Sequence, residues 1–364
     1  MKIILIAGTR PNFMKIAPLL KVLESNDNKN YFDVKLVHTG QHYDPNMSEI
    51  FFQELAIRKP DFYLGVGSGT HAEISGKIMM DLEKILLVEK PDLIVVVGDV
   101  DSTMASAISA KKLHIKVCHV EAGLRSYNEQ MTEEWNRVIT DHISNLLFVT
   151  EESGPKNLKK EGIKKNVYFV GNVMIDSLFN CLDRAKQKDT LQRLGLQEKK
   201  FIFWTMHRPE TVDYKELLQK GMNILYEVQK KIKVVWPIHP RTKKRLQEFG
   251  IKTDFENVVF TEPFGYLDSV NLEFNALCIL TDSGGMQEEA SALNVPCLTM
   301  RPQTERPITV KLGTNIIVNL NKKLILKNLD LILTGKYPKM HSNIPLWDGK
   351  ASERIVQILN GLKQ

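Results

Sequence analysis

Short apolar runs alternate with amphipathic stretches along the whole chain of 364 residues. A run such as Leu93-Ile94-Val95-Val96-Val97 is apolar at every position and suits a strand covered on both faces, whereas the stretches between such runs space their apolar residues as helices do. The rhythm predicts parallel strands covered by helices, a doubly wound α/β architecture. Strands are expected at Ile3 to Ala7, Val34 to His38, Leu93 to Val97, Val117 to Val120, Leu146 to Val149 and Val167 to Val170. A second set is expected at Phe201 to Thr205, Val234 to Ile238, Val258 to Phe260, Leu277 to Thr281, Cys297 to Met300 and Asn315 to Val318. Two Rossmann-like domains follow, residues 1–171 and 172–349, parted at Gly171-Asn172-Val173 ahead of the charged stretch from Asp183 to Lys200, with a C-terminal helix at about 350–364 returning to the first. Ligands of such folds bind beyond the carboxyl ends of the strands, so the two sheets are expected to face each other across a cleft.

Composition narrows the class. Hydrophobic residues at 43% and charged residues at 25% are those of a folded globular chain and exclude disorder. The net charge of +6 is spread over runs such as Asn157 to Lys160 and Lys230 to Lys233, which read as solvated helix faces. No aromatic-rich basic stripe accompanies it, so no nucleic-acid partner is expected. The N-terminus leads directly into a strand and no apolar run is long enough to cross a bilayer, so a cytoplasmic protein without membrane contact is expected. The widely separated Cys118, Cys181, Cys278 and Cys297 suit reduced core positions rather than disulfides or zinc.

Candidate chemistry gathers where strands end. From Ala276 to Glu289 an apolar run breaks into Ser283-Gly284-Gly285 and then reads as a helix, whose free N–H groups would face a phosphate, with Ser283 as cap. Gly8 to Lys15 sets Arg10 and Lys15 around a Pro-initiated helix start. Carboxylates emerging from buried strands are expensive. Asp101 and Ser102 are read as helix caps, whereas Asp99 and Glu121 recur at equivalent strand ends and suit a shared site. Thr132 to Arg137 reads as a helix start with Glu133 and Glu134 in its first turn. His207 and Arg208 follow a strand in a loop, and His239 suits a turn.

Taken in order, Gly8-Thr9-Arg10-Pro11, Thr39-Gly40-Gln41-His42, Gly98-Asp99, His119 to Arg125, Glu133 to Arg137, His207-Arg208, Thr281 to Gly285 and Thr304 to Pro307 make a series that resembles the non-hydrolysing UDP-N-acetylglucosamine 2-epimerases over nearly the whole chain. The resemblance implies a GT-B-type fold and a cytoplasmic homodimer that makes UDP-N-acetylmannosamine for surface polysaccharides. It assigns Asp99, Glu121 and Glu133 to acid/base chemistry and His207 to the leaving-group side. Arg10, Lys15, Ser283, Gly284, Gly285, Glu289 and Arg306 match positions that hold the nucleotide, Glu289 taking the ribose, with Gln41, His42 and Arg137 as further substrate contacts. The C2 proton of the sugar is not next to a carbonyl, so breaking the anomeric C–O bond first, through an oxocarbenium-like centre, is what acidifies it. Elimination of UDP to 2-acetamidoglucal and re-addition then invert C2, with no metal or redox cofactor.

Three segments depart from the family pattern: Pro209-Glu210 after His207-Arg208, Ser269 where an aromatic residue can stand, and Tyr43-Asp44 after Gln41-His42. The alternatives are an epimerase of UDP-2,3-diacetamido-glucuronic acid, a hydrolysing epimerase, a GT-B-type glycosyltransferase and a non-catalytic UDP-sugar sensor.

Overall fold

The computed structural model describes residues 1–41 and 52–362, the Arg10 side chain excepted. The expected contacts of His42 and of the Arg10 guanidinium therefore lie outside the described residues. The chain forms two compact units, one of Met1–Cys181 with Pro345–Gln364 and one of Leu182–Ile344.

In the first unit the parallel strands are β1 (Lys2–Ala7), β2 (Asp33–His38), β3 (Phe62–Tyr63), β4 (Leu93–Val97), β5 (Lys116–Ala122), β6 (Leu146–Val149) and β7 (Val167–Phe169). Their spatial order is β3-β2-β1-β4-β5-β6-β7, so the order reverses between β1 and β4. Helices α1 (Arg10–Leu23), α2 (His71–Glu89), α3 (Asp101–Lys112), α4 (Thr132–Ile143), α5 (Ser153–Lys160) and α6 (Val173–Lys186) follow the strands. Every residue of β4 is buried, as its unbroken apolar run requires, and each such side chain contributes about 1.5–3 kcal/mol of transfer free energy.

The second unit repeats the plan with α7 (Thr190–Arg193), β8 (Phe201–Trp204), α8 (Pro209–Val212), α9 (Lys215–Gln229), β9 (Lys233–Pro237), α10 (Pro240–Glu248) and β10 (Val258–Thr261). It continues through α11 (Tyr266–Asn275), β11 (Cys278–Thr281), α12 (Gly284–Ala292), β12 (Cys297–Thr299), α13 (Pro307–Lys311), β13 (Asn315–Ile317) and α14 (Lys322–Leu333). Its parallel sheet has the order β10-β9-β8-β11-β12-β13, reversing between β8 and β11, and its core includes the buried Trp204 and Trp236 rings, 5.9 Å apart.

Each expected strand is present, with ends shifted by no more than a residue or two at almost every boundary. Among the described residues, the one strand that periodicity does not disclose is β3, whose two residues at the sheet edge are too few to carry a pattern.

The last helix, α15 (Ala351–Gly361), packs on α1 of the first unit. Its capping position falls on Lys350, which offers no capping oxygen, so the buried Asp176 of α6 takes that part: its carboxylate accepts from Ala351 N at 3.1 Å and Ser352 N at 2.7 Å. Trp347 Nε1 donates to Thr150 O at 3.0 Å and ties the segment ahead of α15 to the end of β6. All four cysteines are free and buried, as expected. Among the described residues no helix is long and apolar enough to cross a membrane.

Candidate active site

In an open parallel sheet the crevice lies where the strand order reverses. At the β1/β4 reversal, Asn12 of α1 joins the two strand ends: its Oδ1 accepts from Gly8 N at 3.1 Å and Thr9 N at 2.9 Å, and its Nδ2 donates to Val97 O at 3.1 Å. One turn along α1, Lys15 reaches back to form a buried ion pair with Glu121. Gly98, at φ +70°, makes room for this pair, because a Cβ there would lie 2.8 Å from Lys15 Nζ and 3.7 Å from Glu121 Oε2.

Glu121 itself sits at φ +76°, where β5 and β6 slip register between Val120 and Ala122. The bulge re-aims a side chain that regular β pleating would send elsewhere, and a non-glycine residue held there stores about 1–3 kcal/mol of strain. Behind it, His119 Nε2 donates to Gly98 O at 2.9 Å and its Nδ1 pairs with the fully buried Asp141 at 2.7 Å. Asp141 also accepts from Gly123 N at 3.0 Å and meets Arg125 at 2.7 Å, so the turns after β4 and β5 are locked to one another.

Asp99, partly exposed, receives two bonds from Arg137 of α4, from Nε at 3.0 Å and from Nη2 at 2.6 Å. The same guanidinium donates to Glu134 at 2.8 Å. Burial opposes ionisation of Glu134, but the donors Ser126 N, Tyr127 N and Ser126 Oγ, together with the Arg137 charge, outweigh it and hold its carboxyl below the ordinary value. Glu133, also in the first turn of α4, is half-buried.

Asp101 and Ser102 are not the caps expected of them. The capping position of α3 falls on Val100, with no side-chain bond, because Asp101 is engaged by His71 at 2.8 Å and by Asn136 at 3.2 Å, and Ser102 by Thr39 at 2.9 Å and Gln41 at 2.7 Å. Gln41 is buried by this contact.

At the β8/β11 reversal, Asp282 directly follows β11 with its side chain fully buried. Its Oδ2 accepts from His207 N and Arg208 N, both at 2.8 Å, and its Oδ1 lies 3.0 Å from His207 Nδ1. Burial works against the Asp282 carboxylate, yet the His207 ring and the two amides hold its carboxyl below the ordinary value. With Nδ1 turned to Asp282, Nε2 is the ring atom left to act on a ligand.

Helix α12 begins at Gly284 with Ser283 in the capping position, but the hydroxyl of Ser283 makes no capping bond, unlike the expectation; Thr281 Oγ1 instead accepts from Ser283 N at 2.9 Å. Glu305 approaches this terminus so closely that a Cβ on Gly284 would lie 2.8 Å from its Oε1. Glu305 is buried, which disfavours its charge, but Arg306, Arg301 and Arg208 overcome that and bring its carboxyl down to about 2. Arg306 pairs with Glu288 at 2.8 Å, and Tyr266 Oη donates to Glu289 at 2.8 Å.

The expected residues thus assemble as two groups. Lys15, Gln41, Asp99, Glu121 and Arg137 surround the carboxyl ends of β1, β4 and β5, and Glu133 lies on α4 one turn before Arg137. His207, Ser283, Gly284, Gly285, Glu289 and Arg306 surround those of β8, β11 and β12. Asn12, Glu134, Asp282 and Glu305 were not singled out from the sequence. Asp282 carries the same signal as Asp99, a carboxylate closing a buried apolar run, and stands just ahead of Ser283 and the two glycines.

The sequence model for the family described as UDP-N-acetylglucosamine 2-epimerase matches residues 24–360. The chain is 44% identical over 369 residues to the UDP-N-acetylglucosamine 2-epimerase of Methanocaldococcus jannaschii, covering 99% of each. It is 38% identical over 364 residues to the UDP-2,3-diacetamido-2,3-dideoxy-D-glucuronate 2-epimerase of Pseudomonas aeruginosa, again covering 99% of each. Among solved structures, that of the M. jannaschii UDP-GlcNAc 2-epimerase in complex with UDP-GlcNAc and UDP matches with a TM-score of 0.90 and 42% identity, over 99% of this chain and 100% of that one.

Proposed function

We propose that this chain, which belongs to the UDP-N-acetylglucosamine 2-epimerase family, interconverts UDP-N-acetylglucosamine and UDP-N-acetylmannosamine by eliminating UDP and adding it back. The observation that carries the reading is the division of chemistry between the two strand-order reversals: carboxylates on one sheet, a Ser-Gly-Gly helix start with an oriented histidine on the other.

In this reading the N-terminus of α12, with Ser283, Gly284 and Gly285, and Arg306 hold the diphosphate and Glu289 takes the ribose, while Arg10 and Lys15 of the first unit are nucleotide contacts as the resemblance implies. His207 Nε2, aimed by Asp282, stabilises the departing UDP. The Asp99, Glu121 and Glu133 carboxylates favour the oxocarbenium-like centre and move the C2 proton, removal from one face and return to the other needing more than one of them. Arg137 serves the sugar side by orienting Asp99, and Gln41 and His42 complete the substrate contacts.

In deuterated water, NMR of the protein with UDP-N-acetylglucosamine is expected to reveal deuterium at C2 of both UDP-sugar epimers and a trace of 2-acetamidoglucal. Free N-acetylmannosamine as main product, or absence of turnover, would overturn the reading. The Pseudomonas relative supports a second substrate, UDP-2,3-diacetamido-glucuronic acid, which the same assay discriminates by turnover. A cytoplasmic homodimer completes the proposal. Four free, buried thiols suit a reducing compartment, and sedimentation of the purified protein tests the dimer.

A further inference from the structure

Beside the expected ribose partner Glu289 lies a second carboxyl that no step above uses. Glu273, on α11, is 1% exposed and Glu289 is 5% exposed; Tyr266, Ser269 and Glu273 share one face of α11, and from that face Tyr266 reaches Glu289. Two carboxylates offer only acceptors, so a neighbouring pair can share a hydrogen bond only where one of them carries a proton.

The donors around the pair identify which one. Glu289 receives the Tyr266 hydroxyl at 2.8 Å. Glu273 receives a long bond from Ser269 Oγ at 3.4 Å, and its Oε2 is buried with no donor among the described residues. A carboxylate left without donors in an apolar interior is far more costly than a carboxylic acid there. Of the two, Glu273 is therefore the one whose surroundings favour a proton, which its O–H can donate to Glu289.

We propose that Glu273 is a positioning residue whose neutral carboxyl, together with Tyr266, aims the Glu289 carboxylate at a nucleotide ribose and so distinguishes UDP from 2′-deoxy-UDP. This rests on the reading of Glu289 as the ribose partner. Held from two sides, Glu289 keeps one orientation before the ligand arrives, which lowers the ordering cost of binding.

The surroundings support a retained proton. Burial, and then the Glu289 charge, push the Glu273 carboxyl well above its ordinary value. The groups acting on it are Glu289 from α12, Cys297 from β12 and Ser269 from its own helix; among the described residues no Lys or Arg acts on it. Cys297 adds no charge near neutrality, its thiol being pushed up to about 12 by burial.

Calorimetry of UDP and 2′-deoxy-UDP binding to the full chain tests the proposal. The wild type is expected to favour UDP by about tenfold, the scale of one hydrogen bond to a charged group. Glu289→Ala is expected to erase that preference, and Glu273→Leu to reduce it to about twofold or less, whereas Glu273→Gln, which still donates, restores it. A purely structural role for Glu273 would weaken both ligands alike and leave the ratio intact.

A folded Glu273→Leu variant with the wild-type ratio overturns the proposal. Retention of the preference by Glu289→Ala overturns the ribose reading itself, and the two failures are separate. If Glu273→Leu does not fold, infrared difference spectra decide. The wild type is expected to show a protonated-carboxyl band that UDP perturbs and that Glu273→Gln lacks, and its absence overturns the proposal.

Discussion

Glu121 concentrates the residue-scale argument. It is a charged residue in left-handed backbone at a strand bulge, paired with Lys15, and none of these features is needed for a stable sheet. Strain retained at one position marks a side chain whose direction matters more than its comfort. Glu121→Gln is expected to lower kcat by about 10²-fold or more, measured as loss of C2 deuterium exchange. Asp282→Asn leaves the His207 loop without its anionic anchor and is expected to lower kcat by about 10- to 100-fold, with the larger effect on kcat than on KM. Glu305 gives a pH signature. Its carboxyl titrates at about 2 in the fold and near the ordinary value of 4.5 when unfolded, so its stabilising contribution is complete above the higher value and disappears as pH falls toward the lower one. In Glu305→Gln the acid fall of the melting midpoint is expected to be shallower, with lower stability at neutral pH because three arginines lose their anion.

At the scale of elements, the turns after the strands do most to build the site, and glycine is essential where two backbones meet. Gly123 combines φ +79° with a site where a Cβ would lie 2.8 Å from the backbone of Gly154 at the start of α5. Gly123→Ala is therefore expected to destabilise the first unit by about 2 kcal/mol or more, read from denaturant unfolding, since backbone has no rotamer by which to yield. Gly284 is different. The atom a Cβ would meet is the end of the Glu305 side chain, so Gly284→Ala is expected to fold while UDP binding weakens. The strands themselves were legible because full burial demands unbroken apolar runs. The helix caps were not, because Asp101 and Ser102 had competing partners in α2, α4 and the turn after β2.

Across the whole molecule, the first unit is closed by the end of the chain. Asp176 caps α15 and Trp347 bonds to Thr150, so the residues after Ile344 belong to the fold of the N-terminal sheet although the second unit separates them in sequence. Truncation after Ile344 is expected to lower the melting midpoint and raise hydrogen exchange in α1 and α6, while β8 and β11 keep their protection. The sequence by itself determined two parallel sheets, the positions of nearly all their strands and the strand ends where polar groups gather, because strand burial and turn chemistry are local in the chain. Only the tertiary structure decided that Lys15 pairs with Glu121, that Arg137 grips Asp99, that Asp282 aims His207 and that Glu273 lies against Glu289. Those choices depend on which distant side chains share one buried volume, where each charge or donor must find its complement, and no spacing along the chain encodes that.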